Sequence, residues 1–336
     1  HELRILTEDV TMPRPYVHKV GLSRFWKSSI LGQFARMIAY HRAAMRLRKN
    51  FPFDVLVYNH ALIGLWSAYR FKATVGMVND DNNLTASWRH LGLSRLGTKR
   101  HLFRFIEKAM TGKAQKIIVN SDYLKEKLAK TYHIPANRLH RLYKAVEVPI
   151  KVSAEIDTID PTAPIRVMFV KNDYQRGGLF TLTRGLSLLP FQFVLIIVGP
   201  NPADREKILS DLGKYPNIVG DFLGKIPQIR VLELLKKSHI FCVPSHQEAL
   251  GVANLEAMAQ GVPVISTKAG GIPEVLDQGR CGWLVPPNDS AALAEAIAEC
   301  VRRPDLRATK VRNAHAQVGR FNPQTMFENF LDILSR

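Results

Sequence analysis

Five short apolar runs, rich in β-branched residues, punctuate the second half of this 336-residue chain: IRVMFVK (Ile165–Lys171), FQFVLIIVG (Phe191–Gly199), NIVGDFLG (Asn217–Gly224), HIFCVPS (His239–Ser245) and VPVIST (Val262–Thr267). Runs of this length and composition read as strands covered on both faces. Helical patterns follow them: residues 179–189, 203–212, IRVLELLKKS from Ile229 and GVANLEAMAQG, which closes at Gly261. IPEVLDQG and AALAEAIAECVRR continue the series with a short and a longer helix. Such alternation leaves one architecture in practice, an α/β layer structure around a parallel sheet.

The first half repeats the theme less clearly. ELRILT, FDVLVYN, ATVGMVN and KIIVNS read as strands, a long helix is expected over residues 28–50, and SDYLKEKLAKTY opens with a Ser-Asp capping pair. The segment from Ile150 to Pro164 has two prolines and no apolar period, so it reads as a linker. The expected organisation is two Rossmann-like domains, 1–150 and 151–320, with a ligand crevice at the carboxyl ends of the strands. Residues 321–336 form a final helix that crosses back. Three scattered cysteines match neither a disulfide framework nor a zinc site, and the longest apolar run is too short to span a bilayer.

Glu248 and Glu256 stand eight positions apart in SHQEALGVANLEAMAQG. Pro244 and Ser245 end a strand, which puts Glu248 in a strand-to-helix loop. Glu256 falls about one and a half turns into the helix, roughly 7 Å further along its axis. Gly251 suits the turn between them, and the backbone N–H groups around Gly251 and Val252 have no acceptor inside the helix. A loop carboxylate, a helix N-terminus and a second carboxylate match the sugar hydroxyls, diphosphate and ribose diol of a nucleotide sugar. Taken alone, the two glutamates read first as ordinary helix-surface charges.

The surrounding blocks decide the matter. FVKNDYQRGG, the stretch from VGDFLGK through SHQEALGVANLEAMAQGVPVISTKAGGIPEVLDQGRCGWLVPPND, and KIIVNSDYLKEKL resemble, in order, the retaining glycosyltransferases of the GT-B fold in glycosyltransferase family 4. The resemblance implies that Glu248 contacts the donor sugar and acts in catalysis, and that Glu256 binds the ribose hydroxyls. Ala249, Leu250, Gly251 and Val252, with Gly270 and Gly271 of KAGGIPEV, would line the donor. Lys171 and Arg176 would supply the basic pair that stabilises the leaving diphosphate; the family's usual Gly-Arg and Lys-Gly stand here as Lys171-Asn172 and Arg176-Gly177.

The first half departs further from that pattern. Where the family has a His-Asp pair, GMVNDD places Asn79, then Asp80 and Asp81, and Asn cannot shuttle a proton. A front-face transfer needs no protein base there, since the leaving phosphate oxygen can take the acceptor's proton. His60, after FDVLVYN, is positioned to reach the acceptor or donor side together with Asn79 and Asp80. LYKAVEV substitutes Lys144, Ala145 and Glu147 into a family turn. HELRILTED is similar to the family's second strand, so the first strand, Gly-rich loop and helix are expected upstream of this chain.

No cofactor is expected, and a metal ion is expected to be dispensable. The expected partners are a nucleotide-sugar donor and a glycan, lipid-linked or small-molecule acceptor, with no nucleic acid; the alternatives are a sugar-nucleotide epimerase or a non-catalytic nucleic-acid or membrane binder on a degenerate fold. Charge bears on the acceptor. Residues 1–150 carry 26 Lys and Arg against 10 Asp and Glu, whereas residues 151–336 carry 21 against 19. The basic stretches 28–50 and Trp88–Phe105 suit an anionic membrane surface or a lipid-linked acceptor, and equally a solvated basic face. The few scattered cysteines fit the cytoplasm, with the inner face of the membrane as the surface to be met, and the resemblance implies a part in cell-envelope polysaccharide synthesis.

Overall fold

The computed structural model describes residues 2–8, 14–21, 30–84, 95–147 and 159–336. The expected linker lies largely outside these residues, as does Trp88–Ser94 of the second basic stretch. The chain divides into two units, His1–Leu142 with Ile333–Arg336, and Tyr143–Asp332.

The first unit holds β1 (Ile5–Thr7), β2 (Val17–Lys19), α1 (Ile30–Asn50), β3 (Leu56–Tyr58), α2 (Leu65–Arg70), β4 (Thr74–Val78), α3 (Arg95–Lys113), β5 (Lys116–Val119), α4 (Asp122–Tyr132) and β6 (Leu139–Arg141). Strands β3, β4, β5 and β6 form a parallel sheet in that order. Among the described residues ELRILT does not join it: β1 pairs only with β2, in a separate two-stranded parallel sheet. The three-residue strands β2 and β6 are too short to show a period, which is why the sequence does not announce them. Ser121 caps α4 by accepting a bond from Leu124 N at 3.1 Å. α1 buries Met37 against Leu62 and Ile106.

The second unit contains β7 (Ile165–Val170), α5 (Leu179–Ser187), β8 (Phe193–Val198), α6 (Arg205–Leu212), β9 (Ile218–Gly224), α7 (Gln228–Lys236), β10 (Ile240–Val243), α8 (Val252–Ala259), β11 (Val264–Thr267), α9 (Ile272–Val275), β12 (Trp283–Val285), α10 (Ser290–Arg302), α11 (Pro304–Val318) and α12 (Pro323–Ser335). Its six strands are all parallel, in the order β12-β11-β10-β7-β8-β9. Central β10 and β11 are buried at every position, while edge strand β9 alternates. That contrast follows from helices covering both faces of the middle of the sheet. Phe169, Phe193 and Phe241 are among the largest fully buried side chains.

The boundary expected near residue 150 falls instead at Leu142/Tyr143. Val146 N donates to Phe321 O at 2.9 Å, and the Tyr143 ring packs on Phe321 at 4.7 Å, so this short segment belongs to the second unit. Of α12, only the end from Ile333 belongs to the first unit, where Lys116 Nζ donates to Ile333 O at 2.6 Å.

Candidate functional site

The strand order of the second unit reverses at one point. From β7 the chain proceeds to β8 and β9 on one side, then returns to β10 on the other. The loops leaving β7 and β10 therefore part in opposite directions and open a crevice at the carboxyl end of the sheet. Lys171 immediately follows β7, and Glu248 lies in the loop after β10. Their side chains meet: Lys171 Nζ forms an ion pair with Glu248 Oε2 across this switch point. Glu248 Oε1 accepts from Ala249 N at 3.1 Å, so both carboxylate oxygens are engaged and the group is fixed in place.

The two loops are joined by backbone as well. His246 N donates to Arg176 O at 2.8 Å. Gly178, at φ +74°, lies so close to the other loop that a Cβ would come within 2.2 Å of Pro244 O; only glycine satisfies both the left-handed backbone and the contact. Arg176 lies in the loop after β7, with Asp173 Oδ2 3.6 Å from its Nε. Gly251, at φ +94°, is the N-cap of α8, so the first-turn N–H groups of α8 open beside Glu248. Gly271 N donates to Glu248 O at 3.3 Å. A side chain at 271 would strike Ala249 O at 2.4 Å, so KAGG seals the back of the Glu248 loop.

Glu256 sits half-buried on α8. Burial raises its pKa, opposed by a hydrogen bond from Gln228 Nε2 at 2.7 Å. Two buried polar atoms nearby, Ser245 Oγ and Asn254 Oδ1, have no protein partner. Unpaired buried oxygens are rare, and these two lie at the end of a strand and the start of a helix, beside the Glu248 loop. Asn254 did not stand out in the sequence, nor did Gln228. Ser245 was legible as the residue ending the strand, but only the fold shows its hydroxyl unsatisfied.

In the first unit the expected residues also gather at strand ends. Asn59 and His60 follow β3, Asn79 and Asp80 follow β4, and Asn120 follows β5. Asn79 Nδ2 donates to Asn59 O at 2.6 Å and Asn120 Nδ2 to Asn79 O at 2.8 Å, stitching three loops together. Asn79 thus serves as a loop brace. Desolvation lowers the His60 pKa, opposed by the negative charge of Asp80. Asp80 Oδ1 accepts from Asn82 N at 3.0 Å. Asp81 accepts from Tyr123 and Lys127 at 2.9 and 2.7 Å, which ties the loop to α4. Among the described residues no group of three His, Cys, Asp or Glu side chains gathers as a metal cage. Sequence reading missed Glu107: it is buried on α3, accepts from Asn83 Nδ2 and Tyr132 OH at 2.9 Å each, and is pushed up to about 7 by desolvation.

Comparison with known proteins agrees with this layout in both halves. Residues 158–317 match the family model described as Glycosyl transferases group 1, and residues 1–148 match Glycosyltransferase Family 4. Among curated proteins, the putative colanic acid biosynthesis glycosyltransferase WcaL of Salmonella typhimurium is 31% identical over 186 residues, covering 52% of this chain and 46% of that protein. The chain spans about half the length of the curated relatives it matches. Among solved structures, sucrose-phosphate synthase from Thermosynechococcus elongatus superposes with a TM-score of 0.78 at 20% identity, over 97% of this chain and 84% of that one. Anabaena Alr3699/HepE in complex with UDP-glucose gives 0.70 at 20% identity, over 95% and 85%.

Proposed function

Because the chain belongs to glycosyltransferase family 4 and has the GT-B fold, we propose that it moves a sugar, with retention of anomeric configuration, from a nucleotide diphosphate sugar to a glycan, lipid-linked or small-molecule acceptor. The observation that carries this reading is the Lys171–Glu248 pair across the switch point, beside the N-terminus of α8. The Lys171 ammonium and the Glu248 carboxylate neutralise each other. A donor seated there offers each a better use: hydroxyls of the sugar for Glu248, and the diphosphate for Lys171, Arg176 and the first-turn N–H groups of α8. As the glycosidic bond breaks, negative charge grows on the diphosphate, and these fixed positive ends stabilise it. The acceptor hydroxyl attacks the anomeric carbon from the face the diphosphate leaves, and its proton passes to the departing phosphate oxygen. Glu256, held by Gln228, accepts from the ribose hydroxyls.

UDP is favoured over GDP as the carrier by the likeness to a fold neighbour solved with UDP-glucose. A role in cell-envelope polysaccharide synthesis is supported by the relation to a colanic acid enzyme. The test is to incubate the chain with UDP- and GDP-sugars and follow release of the nucleoside diphosphate. Release is expected from one of them and should vanish in Glu248→Ala. Release unchanged by Glu248→Ala contradicts the assignment, and a new sugar nucleotide formed without release points to an epimerase.

A further inference from the structure

A second surface, on the first unit, is not used by the donor site. Helices α1, α2 and α3 carry twelve Lys and Arg and a single acid, Glu107, and that acid is buried. Where α1 meets α2, a cavity of about 290 Å³ opens between Ile38, His41 and Arg42 on one helix and Trp66, Tyr69 and Arg70 on the other. Spacings of three and four residues put each trio on one face of its helix. The apolar members are displayed to solvent: Ile38 is 42% exposed, Trp66 46% and Tyr69 62%. Leu31, seven residues before Ile38 on the same stripe of α1, is 65% exposed. Lys113 Nζ adds a cation 5.3 Å from the centre of the Tyr69 ring.

We propose that this face docks the protein on an anionic lipid bilayer, with Trp66, Tyr69 and Ile38 entering the boundary between headgroups and acyl chains and Arg42 and Arg70 engaging lipid phosphates. Amphipathic rings settle at that boundary, and guanidinium groups pair with phosphate while their stems lie along apolar surface. With no exposed acid on the three helices, nothing on them repels an anionic surface. Among the described residues no helix is long and apolar enough to cross a membrane, so the contact lies along the surface. Nucleic acid is the other extended polyanion, but the exposed aliphatic side chains of Leu31 and Ile38 contribute nothing to base stacking. The contact is independent of the transfer reaction, so its test neither needs nor probes that activity.

Co-sedimentation with vesicles reads it directly. The chain is expected to pellet with phosphatidylcholine vesicles containing roughly a third phosphatidylglycerol, not with pure phosphatidylcholine, and to be released by about 0.5 M salt. Trp66→Ser with Tyr69→Ser, and separately Arg42→Gln with Arg70→Gln, should each lower the bound fraction about tenfold. Arg205→Gln with Lys207→Gln, on exposed positions of α6 in the other unit, should leave it unchanged; circular dichroism checks that each variant folds. Absence of binding to anionic vesicles overturns the proposal, as does binding that survives both double substitutions or falls equally with the α6 pair. Tighter binding to a short single-stranded RNA, lost in the same variants, assigns the face to nucleic acid instead.

Discussion

Glu248 and Glu256 differ in what holds them, and the difference separates their roles. Glu248 faces a cation across the crevice and accepts from the backbone N–H of its neighbour Ala249, whereas Glu256 is half-buried against a neutral amide. Replacing Glu248 by Gln keeps the bond from Ala249 N but removes the charge opposite Lys171. Steady-state assay should show kcat falling by about a hundredfold with a smaller change in KM. Glu256→Gln should do the reverse, raising the donor KM with kcat largely kept, since a contact to ribose would be the same in ground and transition states. Glu107 makes a different prediction. Its pKa is raised to about 7 by desolvation, so between about pH 4.5 and 7 the folded chain holds a proton that the unfolded chain has lost. That contribution to stability is complete below about pH 4.5 and disappears as pH rises through 7, a difference of about 3 kcal/mol. Urea titrations should therefore show Glu107→Gln gaining on the parent between pH 5 and pH 8; a constant difference contradicts the burial assignment.

At the level of elements, the site is made by two loops that leave adjacent strands in opposite directions. Their contact rests on Gly178, where φ is +74° and a Cβ would meet Pro244 O at 2.2 Å. Gly178→Ala combines backbone strain with a backbone collision and should cost about 2–4 kcal/mol. In a unit of this size that lowers the melting temperature of the second unit by roughly 4–16 °C; a fall below 1 °C would mean the loops are not locked together. The strands and helices of this unit were legible because buried parallel strands are unbroken apolar runs and glycines such as Gly261 and Gly279 follow the helices. β12 and α11 were not: Trp283–Val285 is three residues long, and α11 carries a mixed, largely polar sequence. Gly251, Gly270 and Gly271 were legible as close-approach positions, while the role of Gly178 depends on a neighbour 66 positions away. The same holds for Ser245, Asn254 and Gln228, whose part in the site is set by three-dimensional proximity that no local pattern encodes.

At the scale of the whole molecule the two units differ in charge and surface: the second is nearly neutral around an apolar, well-covered sheet, and the first is basic, with helices that display aromatic rings. The second unit carries the legible motifs, because a nucleotide-sugar site needs particular residue types at fixed spacing around a strand end. The first unit was legible mainly through charge: its short strands and its asparagine-braced loops leave little periodic signal, and Asn79 stands where a histidine was the family expectation. The central claim is that the switch point of the second unit is a nucleotide-sugar donor site. Isothermal titration of the full chain with UDP, GDP and their sugars tests it without requiring the acceptor. One nucleotide series should bind with a dissociation constant in the range of about 1 μM to 1 mM, weakened at least about tenfold by Glu256→Ala through loss of the ribose contact. Absence of binding by every nucleotide at millimolar concentration, or equal affinity in the Glu256→Ala protein, would contradict it.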